Sequence, residues 1–180
     1  SVPFPHTTPA AAADAVLHAA EQALRQLDAS MQDVSSVGVI IPGSLDPACE
    51  VILNAYNLDF HNVPFRTLIR ERFFNAPVYM ANDADGAALA ELYCGALRGC
   101  KTGVLMTLGT GVGGGLILDG KLFSGGKGNG VELGHMLLLD GGAPCTCGNH
   151  GCIESYCSAT ALAHAGAVTM RAHPESLLYK

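Results

Sequence analysis

The spacing of apolar residues predicts a helix and strand in alternation along the first half of the chain. Residues 9–28 are rich in alanine and repeat leucine at helical spacing after a Thr-Pro pair, which suits an N-cap and a first helical position. The apolar run from Val37 to Ile41 predicts a short buried strand that ends in a Pro-Gly turn.

The alternation continues to about residue 97. The segment from Phe65 to Phe73 has the pattern of a short amphipathic helix, residues 76–81 that of a second strand, and residues 84–97 that of another helix. An order of helix, strand, helix, strand and helix predicts parallel strands joined by crossover helices.

The pattern changes at Gly99. Residues 102–123 predict a strand, a glycine-rich turn, a second strand, an Asp-Gly turn and a third strand, which is the order of two hairpins. Residues 131–139 predict a further strand, and a helix is expected from about Glu154 to Ala165. We therefore predict two domains, residues 1–98 and 99–180, with a boundary near residues 98–101.

Composition and charge narrow the class of function. The 180 residues are 49% hydrophobic and 14% charged, which favours a packed core over disorder. The net charge is −6 and the ten Lys and Arg residues are scattered singly, which argues against a nucleic-acid partner. Because no apolar run reaches the ~18 residues of a membrane span, we expect no membrane partner.

The cysteines and the chain ends bear on location. The seven cysteines are an odd number, four stand singly, and no signal-peptide pattern is present, which favours a reducing, cytoplasmic compartment. The chain starts at Ser1 without Met and ends abruptly after a helix-like run, so we expect a fragment or a trimmed chain.

Residues 145–152, CTCGNHGC, predict a structural zinc site. Cys145, Cys147 and Cys152 supply three thiolates, and a tetrahedral zinc requires a fourth sulfur or nitrogen ligand. We favour His135, ten residues upstream of Cys145, over His150 within the loop. A disulfide is disfavoured because a C-x-C pair is poorly placed to bridge itself and the compartment is predicted to be reducing.

Two other features carry candidate chemistry. Asp83 follows a predicted strand, where α/β proteins place ligands, so it is either a general base for a substrate hydroxyl or the cap of the next helix. Residues 108–115, LGTGVGGG, are either a phosphate-binding turn, with Thr110 as a hydroxyl donor, or a structural hairpin turn. A base and a phosphate loop together suggest phosphoryl transfer.

Several segments together resemble one family. NDADGAALAE, LGTGVGGGLILDGKLFSG, ELGHM and CTCGNHGCIESYCSATAL, in this order, are similar to the ROK family of sugar kinases and related repressors. AYNLDFHNVP followed by VYMANDAD most resembles the bacterial ATP-dependent glucokinases within it. The similarity runs almost continuously from about Gly38 to Leu162, and the cysteine signature is its most specific part.

The resemblance implies part of an α/β, actin-like ATPase fold of the ribonuclease H-like, two-lobed type, with sugar in the cleft between lobes. It implies the ATP- and Mg²⁺-dependent phosphorylation of the 6-hydroxyl of a hexose, glucose first, by a homodimer or homotetramer. Asp83 would be the base, and His135 would use one ring nitrogen for zinc and the other for sugar. The remaining implied contacts are Gly43, Asn57, Asn82, Glu132 and Glu154 on the sugar, and Gly109, Thr110, Gly111 and Gly113 along the ATP phosphates.

The chain departs from the family pattern in three places. The N-terminal Asp-x-Gly-Gly-Thr phosphate loop and the C-terminal part of the nucleotide pocket are not in these residues, and Val131 replaces the usual glycine before Glu132, which would shift that carboxylate. Kinases of N-acetylmannosamine, N-acetylglucosamine, allose or fructose share the motifs. A sugar-responsive repressor and a non-catalytic zinc-stabilised fragment are two further hypotheses, and Asp83 favours the enzyme over the repressor.

Overall fold

A computed structural model describes residues 8–74, 76–126 and 130–177. The chain divides into two structural units: one runs to Gly86 and includes Gly125 and Gly126, and the other contains residues 87–124 and 130–177. The division falls inside a helix, before residues 98–101, and the assignment of two lobes at that later boundary stays a prediction.

The first unit opens with a capped helix, as the sequence predicts. The Thr8 hydroxyl accepts a hydrogen bond from the Ala11 amide at 3.1 Å, and Pro9 occupies the first helical position. Ala12 and Ala13 are fully buried. In chain order the elements of this unit are α1 (Pro9–Gln26), β1 (Val37–Ile41), β2 (Ser44–Leu45), β3 (Ile52–Ala55), β4 (Phe60–Val63), α2 (Phe65–Arg70), β5 (Val78–Asn82) and the first turn of α3 (Asp83–Cys94).

The two apolar strands form the predicted parallel pair. β1 and β5 run in register from Val37 opposite Val78 to Ile41 opposite Asn82. Alternate side chains of both strands, Val39 and Met80 among them, are buried, which matches the period of two in a strand. The carboxyl ends of β1 and β5 therefore lie side by side.

The sequence did not predict the antiparallel sheet β2-β3-β4 between these strands. Its strands are two to four residues long and include Asn54 and His61, so alternation is too short to be recognised. The predicted helix from Phe65 ends at Arg70, three residues early. Phe73 is still buried, because its amide continues to bond the Ile69 carbonyl and holds it against the core.

The second unit contains the predicted hairpins. An antiparallel sheet of β6 (Gly103–Leu108), β7 (Val112–Leu118) and β8 (Lys121–Phe123) is formed, and Asp119 and Gly120 both have positive φ, as a tight Asp-Gly hairpin turn requires. Ala88 and Leu92 of α3 pack against Ile117 of this sheet. Two helices follow, α4 (Glu154–Cys157) and α5 (Ala159–Ala172).

The strand predicted at residues 131–139 is wrong. The segment contains a 3-10 turn, Leu133–His135, and a single isolated bridge between Leu137 and Cys152. The amides of Leu138 and Leu139 both donate to the carbonyl of Gly151, so this backbone is bonded to residues 145–152, the cysteine loop, and not to a neighbouring strand. Apolar residues 137–139 misled the prediction, since all three side chains are more than half exposed.

The helix expected from Glu154 to Ala165 is interrupted. Ser158 has an extended backbone and its hydroxyl accepts from the Ala161 amide at 3.0 Å, so it caps a second helix instead of continuing the first. α5 then continues to Ala172, beyond the predicted end. Among the described residues, no helix has both the length and the apolar character to cross a bilayer.

Candidate functional site

Asn82 caps α3 and Asp83 does not need to. Asn82 Oδ1 accepts from the amides of Ala84 at 2.9 Å and Asp85 at 3.3 Å. The Asp83 carboxylate also accepts from the Ala84 amide at 2.9 Å, but its side chain is exposed. The capping role that sequence left open for Asp83 is thus supplied chiefly by its neighbour, which leaves a carboxylate at the end of a parallel strand with unused acceptor capacity.

Gly43 holds the other end of the Asn82 side chain. Asn82 Nδ2 donates to the Gly43 carbonyl at 2.9 Å. A Cβ on Gly43 would overlap the carbonyl of Asn54 and the Cα of Ala55. The predicted residues Gly43, Asn82 and Asp83 are therefore brought together within the first unit, and β3 packs directly against this turn.

The β3-β4 connection carries the weakest sequence candidate. Asn57 lies in the 3-10 turn Tyr56–Leu58, and its side chain lies outside the described residues. Near it, His61 Nδ1 and Asn54 Oδ1 are 3.0 Å apart, and the rings of Tyr56 and His61 meet edge to face with centroids 5.9 Å apart. The role of Asn57 stays a prediction.

Three cysteines and His135 converge in the second unit. Their four ligand atoms lie within 4.8 Å of one another, and in the described part of the chain His150 does not belong to this cluster. The Cys147 and Cys152 sulfurs are 3.7 Å apart, and Cys145 Sγ lies 3.6 Å from His135 Nδ1. Bonds of ~2.3 Å to sulfur and ~2.0–2.1 Å to nitrogen, at tetrahedral angles, require about 3.8 Å and 3.5 Å for these pairs. The donor set and its spacing fit zinc.

The thiols of this cluster differ in proton affinity. Burial raises the pKa of Cys152, together with hydrogen bonds and charge from Cys145 and Cys147, to about 12. For Cys145 burial also acts to raise the pKa, but hydrogen bonds from Cys147, Ser155 and Cys152 outweigh it and lower the pKa to about 6. Deprotonation of neighbouring thiols this close together is unfavourable, because the negative charges repel one another. A divalent cation removes this conflict, because it stabilises all three at once.

Glu154 connects this cluster to the glycine turn. Its Oε2 accepts from the Val112 amide at 2.9 Å, and its Oε1 accepts from the Thr146 hydroxyl at 3.1 Å. A Cβ on Gly111 would overlap Oε2, so the absence of a side chain there permits the approach of the carboxylate. Gly111 therefore lies beside Glu154, and its binding of phosphate stays a prediction.

The glycine turn is fastened to the start of α5. The Gly109 carbonyl accepts from the Ala159 amide, and the Thr110 carbonyl accepts from the Thr160 hydroxyl, both at 2.8 Å. Gly113 lies in β7 opposite Thr107. The turn is therefore a hairpin, as one of the two hypotheses for it states, and its binding of phosphate remains a separate prediction.

Glu132 and His135 sit at the two ends of one short turn. The His135 amide donates to the Glu132 carbonyl at 3.0 Å, and Glu132 is exposed. Gly134 between them is buried against Val112, and a Cβ on Gly134 would overlap the Val112 carbonyl. The second unit thus gathers the predicted residues Glu132, His135 and Glu154 around the glycine turn and the cysteine loop.

A family model matches this arrangement of motifs. The model of the ROK family covers residues 2–176. The chain belongs to the ROK family. This result confirms the resemblance seen in the sequence, and the solved structure reported below confirms that the α/β chain has part of the actin-like ATPase fold of ROK sugar kinases.

Known ROK proteins similar to this chain include both kinases and repressors. The glucokinase of Halalkalibacterium halodurans is 38% identical over 150 residues, 83% of this chain and 45% of that protein. The xylose repressor of Caldicellulosiruptor bescii is 33% identical over 142 residues, 79% of this chain and 35% of that protein. The crystal structure of a ROK glucokinase from Streptomyces griseus, in complex with glucose and AMPPNP, has a TM-score of 0.81 at 34% identity and covers 96% of this chain and 53% of that one. The chain spans about half the length of the glucokinases it matches.

Two residues that contact Glu154 carry no signal in the sequence. Thr146 lies between Cys145 and Cys147, and Val112 contributes only its backbone amide. A backbone donor leaves no mark on residue identity. The hydroxyl of Thr146 is recognisable only once Glu154 is seen beside it.

Proposed function

We propose that this chain is part of an ATP-dependent hexose kinase that phosphorylates the 6-hydroxyl of glucose, with Asp83 as the general base. The observation that carries the proposal is the capping of α3 by Asn82, which leaves the Asp83 carboxylate exposed at the carboxyl end of β5. Similarity to ROK glucokinases supports the choice of reaction and of glucose.

The proposed reaction uses Asp83 at one bond. Its carboxylate takes the proton from the sugar 6-hydroxyl as that oxygen attacks the γ-phosphorus of ATP, and the bond from the γ-phosphorus to the β,γ-bridging oxygen breaks to release ADP. Magnesium bound to ATP neutralises charge on the phosphates. Asn82 is bonded to the Gly43 carbonyl and to the first turn of α3, and these bonds hold the end of β5, and with it Asp83, in a fixed orientation.

The second unit supplies the other proposed sugar contacts. Glu132, His135 and Glu154 offer two carboxylates and an imidazole, which suit the hydroxyl groups of a pyranose. His135 Nδ1 faces the Cys145 sulfur, so the opposite ring nitrogen is available for sugar. We assign the four-residue cluster to structural zinc, and Gly109, Thr110, Gly111 and Gly113 to the ATP phosphates. The fold of this unit then orients a substrate ligand through its metal.

A repressor is the second candidate, because the xylose repressor matches at 33% identity. A repressor would bind sugar through the same unit without turnover. The carboxylate at Asp83 favours the kinase, since recognition of sugar alone does not require a base for its 6-hydroxyl.

A coupled assay of ADP formation on the complete protein tests the proposal. The panel contains glucose, mannose, fructose, allose, N-acetylglucosamine and N-acetylmannosamine, each with ATP and Mg²⁺. We expect ADP and a hexose 6-phosphate in equal amounts, fastest with glucose. Sugar binding without ADP formation, combined with sugar-dependent release of DNA, would establish the repressor instead.

A further inference from the structure

Both carboxylate oxygens of Glu154 are engaged by different parts of the second unit. Oε2 accepts from the Val112 amide at the start of β7, and Oε1 accepts from the Thr146 hydroxyl in the cysteine loop. One side chain therefore connects a backbone donor of the glycine hairpin with a hydroxyl that lies between two metal-cluster cysteines. Neither donor belongs to the same element as Glu154, which opens α4.

The direction of the Thr146 hydroxyl depends on whether the cysteine loop is ordered. Its neighbours Cys145 and Cys147 both contribute sulfur atoms to the cluster. When a metal fixes the two sulfurs, the backbone of the intervening residue is fixed as well, and with it the direction in which the hydroxyl points. A threonine also has few side-chain rotamers, so little freedom remains once its backbone is held.

The glycine turn contacts Glu154 closely enough to be held in place by it. Gly111 allows Glu154 Oε2 to approach, and the Val112 amide completes the contact. The Ala159 amide and the Thr160 hydroxyl hold the preceding carbonyls. Of these hydrogen bonds to the glycine turn, the one from the Val112 amide connects the turn to the cysteine loop, because its acceptor Glu154 also bonds Thr146.

We propose that Thr146 is a positioning residue. When metal binding orders the cysteine loop, the Thr146 hydroxyl holds the Glu154 carboxylate in place, and Glu154 in turn holds the Val112 amide of the glycine turn. The effect of Thr146 on sugar affinity rests on the proposed function, in which Glu154 contacts the hexose. The coupling to Val112 does not, because it concerns hydrogen bonds within the chain.

Three variants of the complete protein isolate the hydroxyl. Thr146→Val keeps the shape and removes the donor, whereas Thr146→Ser keeps the donor. Thr169→Val is the matched control, because it makes the same replacement at an exposed position of α5. Zinc content by elemental analysis and amide hydrogen exchange at Val112 by NMR are measured for each.

The expected result is faster exchange of the Val112 amide in Thr146→Val, by ~3- to 10-fold for the loosening of one charge-assisted hydrogen bond. Its zinc content should equal that of the unaltered protein, and Thr146→Ser and Thr169→Val should exchange at the unaltered rate. Equal Val112 exchange in Thr146→Val and Thr169→Val would overturn the proposal. Loss of zinc from Thr146→Val would also overturn the proposal, because Thr146 would then stabilise the cysteine loop itself.

Hexose affinity separates this proposal from the proposed function. We expect Thr146→Val to raise the Kd for glucose ~3- to 10-fold and Thr146→Ser to restore it. Should the unaltered protein bind none of the hexoses, the kinase proposal fails, and Val112 exchange still decides the coupling. Faster Val112 exchange with unchanged glucose affinity would confirm the coupling and remove Glu154 from the sugar contacts.

Discussion

Asn82 donates from Nδ2 to the carbonyl of Gly43 at 2.9 Å, across 39 residues of sequence. The same side chain caps α3 through Oδ1. One amide thus joins the turn after β1 to the helix that begins at the proposed base. Its two ends are both satisfied within the chain, so the position of Asp83 depends on Gly43 as well as on Asn82.

Replacing Gly43 by alanine should disturb this connection. The new Cβ would overlap backbone atoms of Asn54 and Ala55, which cannot rotate away, so we expect a loss of ~1–3 kcal/mol in the free energy of unfolding and a fall in kcat. Gly38→Ala is the control, because a Cβ there meets nothing within 4 Å. Denaturant unfolding of both variants checks the prediction, and equal stability of the two would contradict the close approach at Gly43.

Replacing Asp83 by asparagine should remove turnover and keep the fold. The substitution preserves the shape at an exposed position but removes the base, and general-base catalysis contributes ~10²- to 10⁴-fold to a rate. We expect kcat to fall by that factor, with glucose affinity and melting temperature near those of the unaltered protein. A normal kcat in Asp83→Asn would leave Asp83 as a helix-start residue only.

His135→Gln should lower zinc content, stability and hexose affinity together, because one ring is proposed to serve the metal and the sugar. His150→Gln is the matched control, since His150 lies among residues 145–152 with the three cysteines but outside the four-residue cluster. Elemental analysis, thermal unfolding and glucose titration are compared for both variants. Unchanged glucose affinity in folded His135→Gln would refute the dual role, and zinc loss in His150→Gln would refute the ligand set.

Gly111→Ala should displace Glu154. A Cβ at this position would overlap Glu154 Oε2, and we expect the carboxylate to shift away from it and weaken its hydrogen bond to the Val112 amide. We expect reduced stability, whereas Gly109→Ala, with nothing within 4 Å of its Cβ, should unfold at a higher denaturant concentration than Gly111→Ala. Comparison of the denaturant midpoints of the two variants tests whether a side chain at position 111 is excluded by the Glu154 carboxylate.

The carboxylate of Asp46 makes stability depend on acid pH. The Val51 amide lowers the pKa of Asp46, burial opposes this shift, and the amides of Glu50 and Ala48 reinforce it. Because the pKa in the folded state is below that in the unfolded state, the stabilisation is present above about pH 4 and is lost as pH falls through the folded value. Asp46→Asn should therefore lower unfolding stability at neutral pH, with a difference that shrinks on acidification. A constant difference from pH 7 to pH 3 would exclude this origin.

Features whose interacting residues are close in the chain could be predicted from the amino-acid sequence. The cysteine cluster draws three ligands from eight residues, and the choice of His135 over His150 agrees with the described cluster. The Thr8 cap and the Asp119-Gly120 hairpin were predicted for the same reason, because local backbone chemistry decides them. The family followed from motif order.

Local signals failed where two short-range explanations competed. Three consecutive leucines at residues 137–139 predicted a strand, but their backbone bonds the Gly151 carbonyl, and their side chains are exposed. Ser158 interrupted a helix because its hydroxyl could cap the next one. Apolar character alone does not state which backbone groups will satisfy a segment's hydrogen bonds.

How the proposed site residues are held depends on contacts that form when the chain folds. Asn82 reaches Gly43 across 39 residues, and Glu154 reaches the Val112 amide across 42. Both contacts use a backbone group as one partner, and a backbone carbonyl or amide is the same whatever the residue. Sequence therefore indicated which side chains carry chemistry, whereas folding determined which of them cap, position or remain exposed.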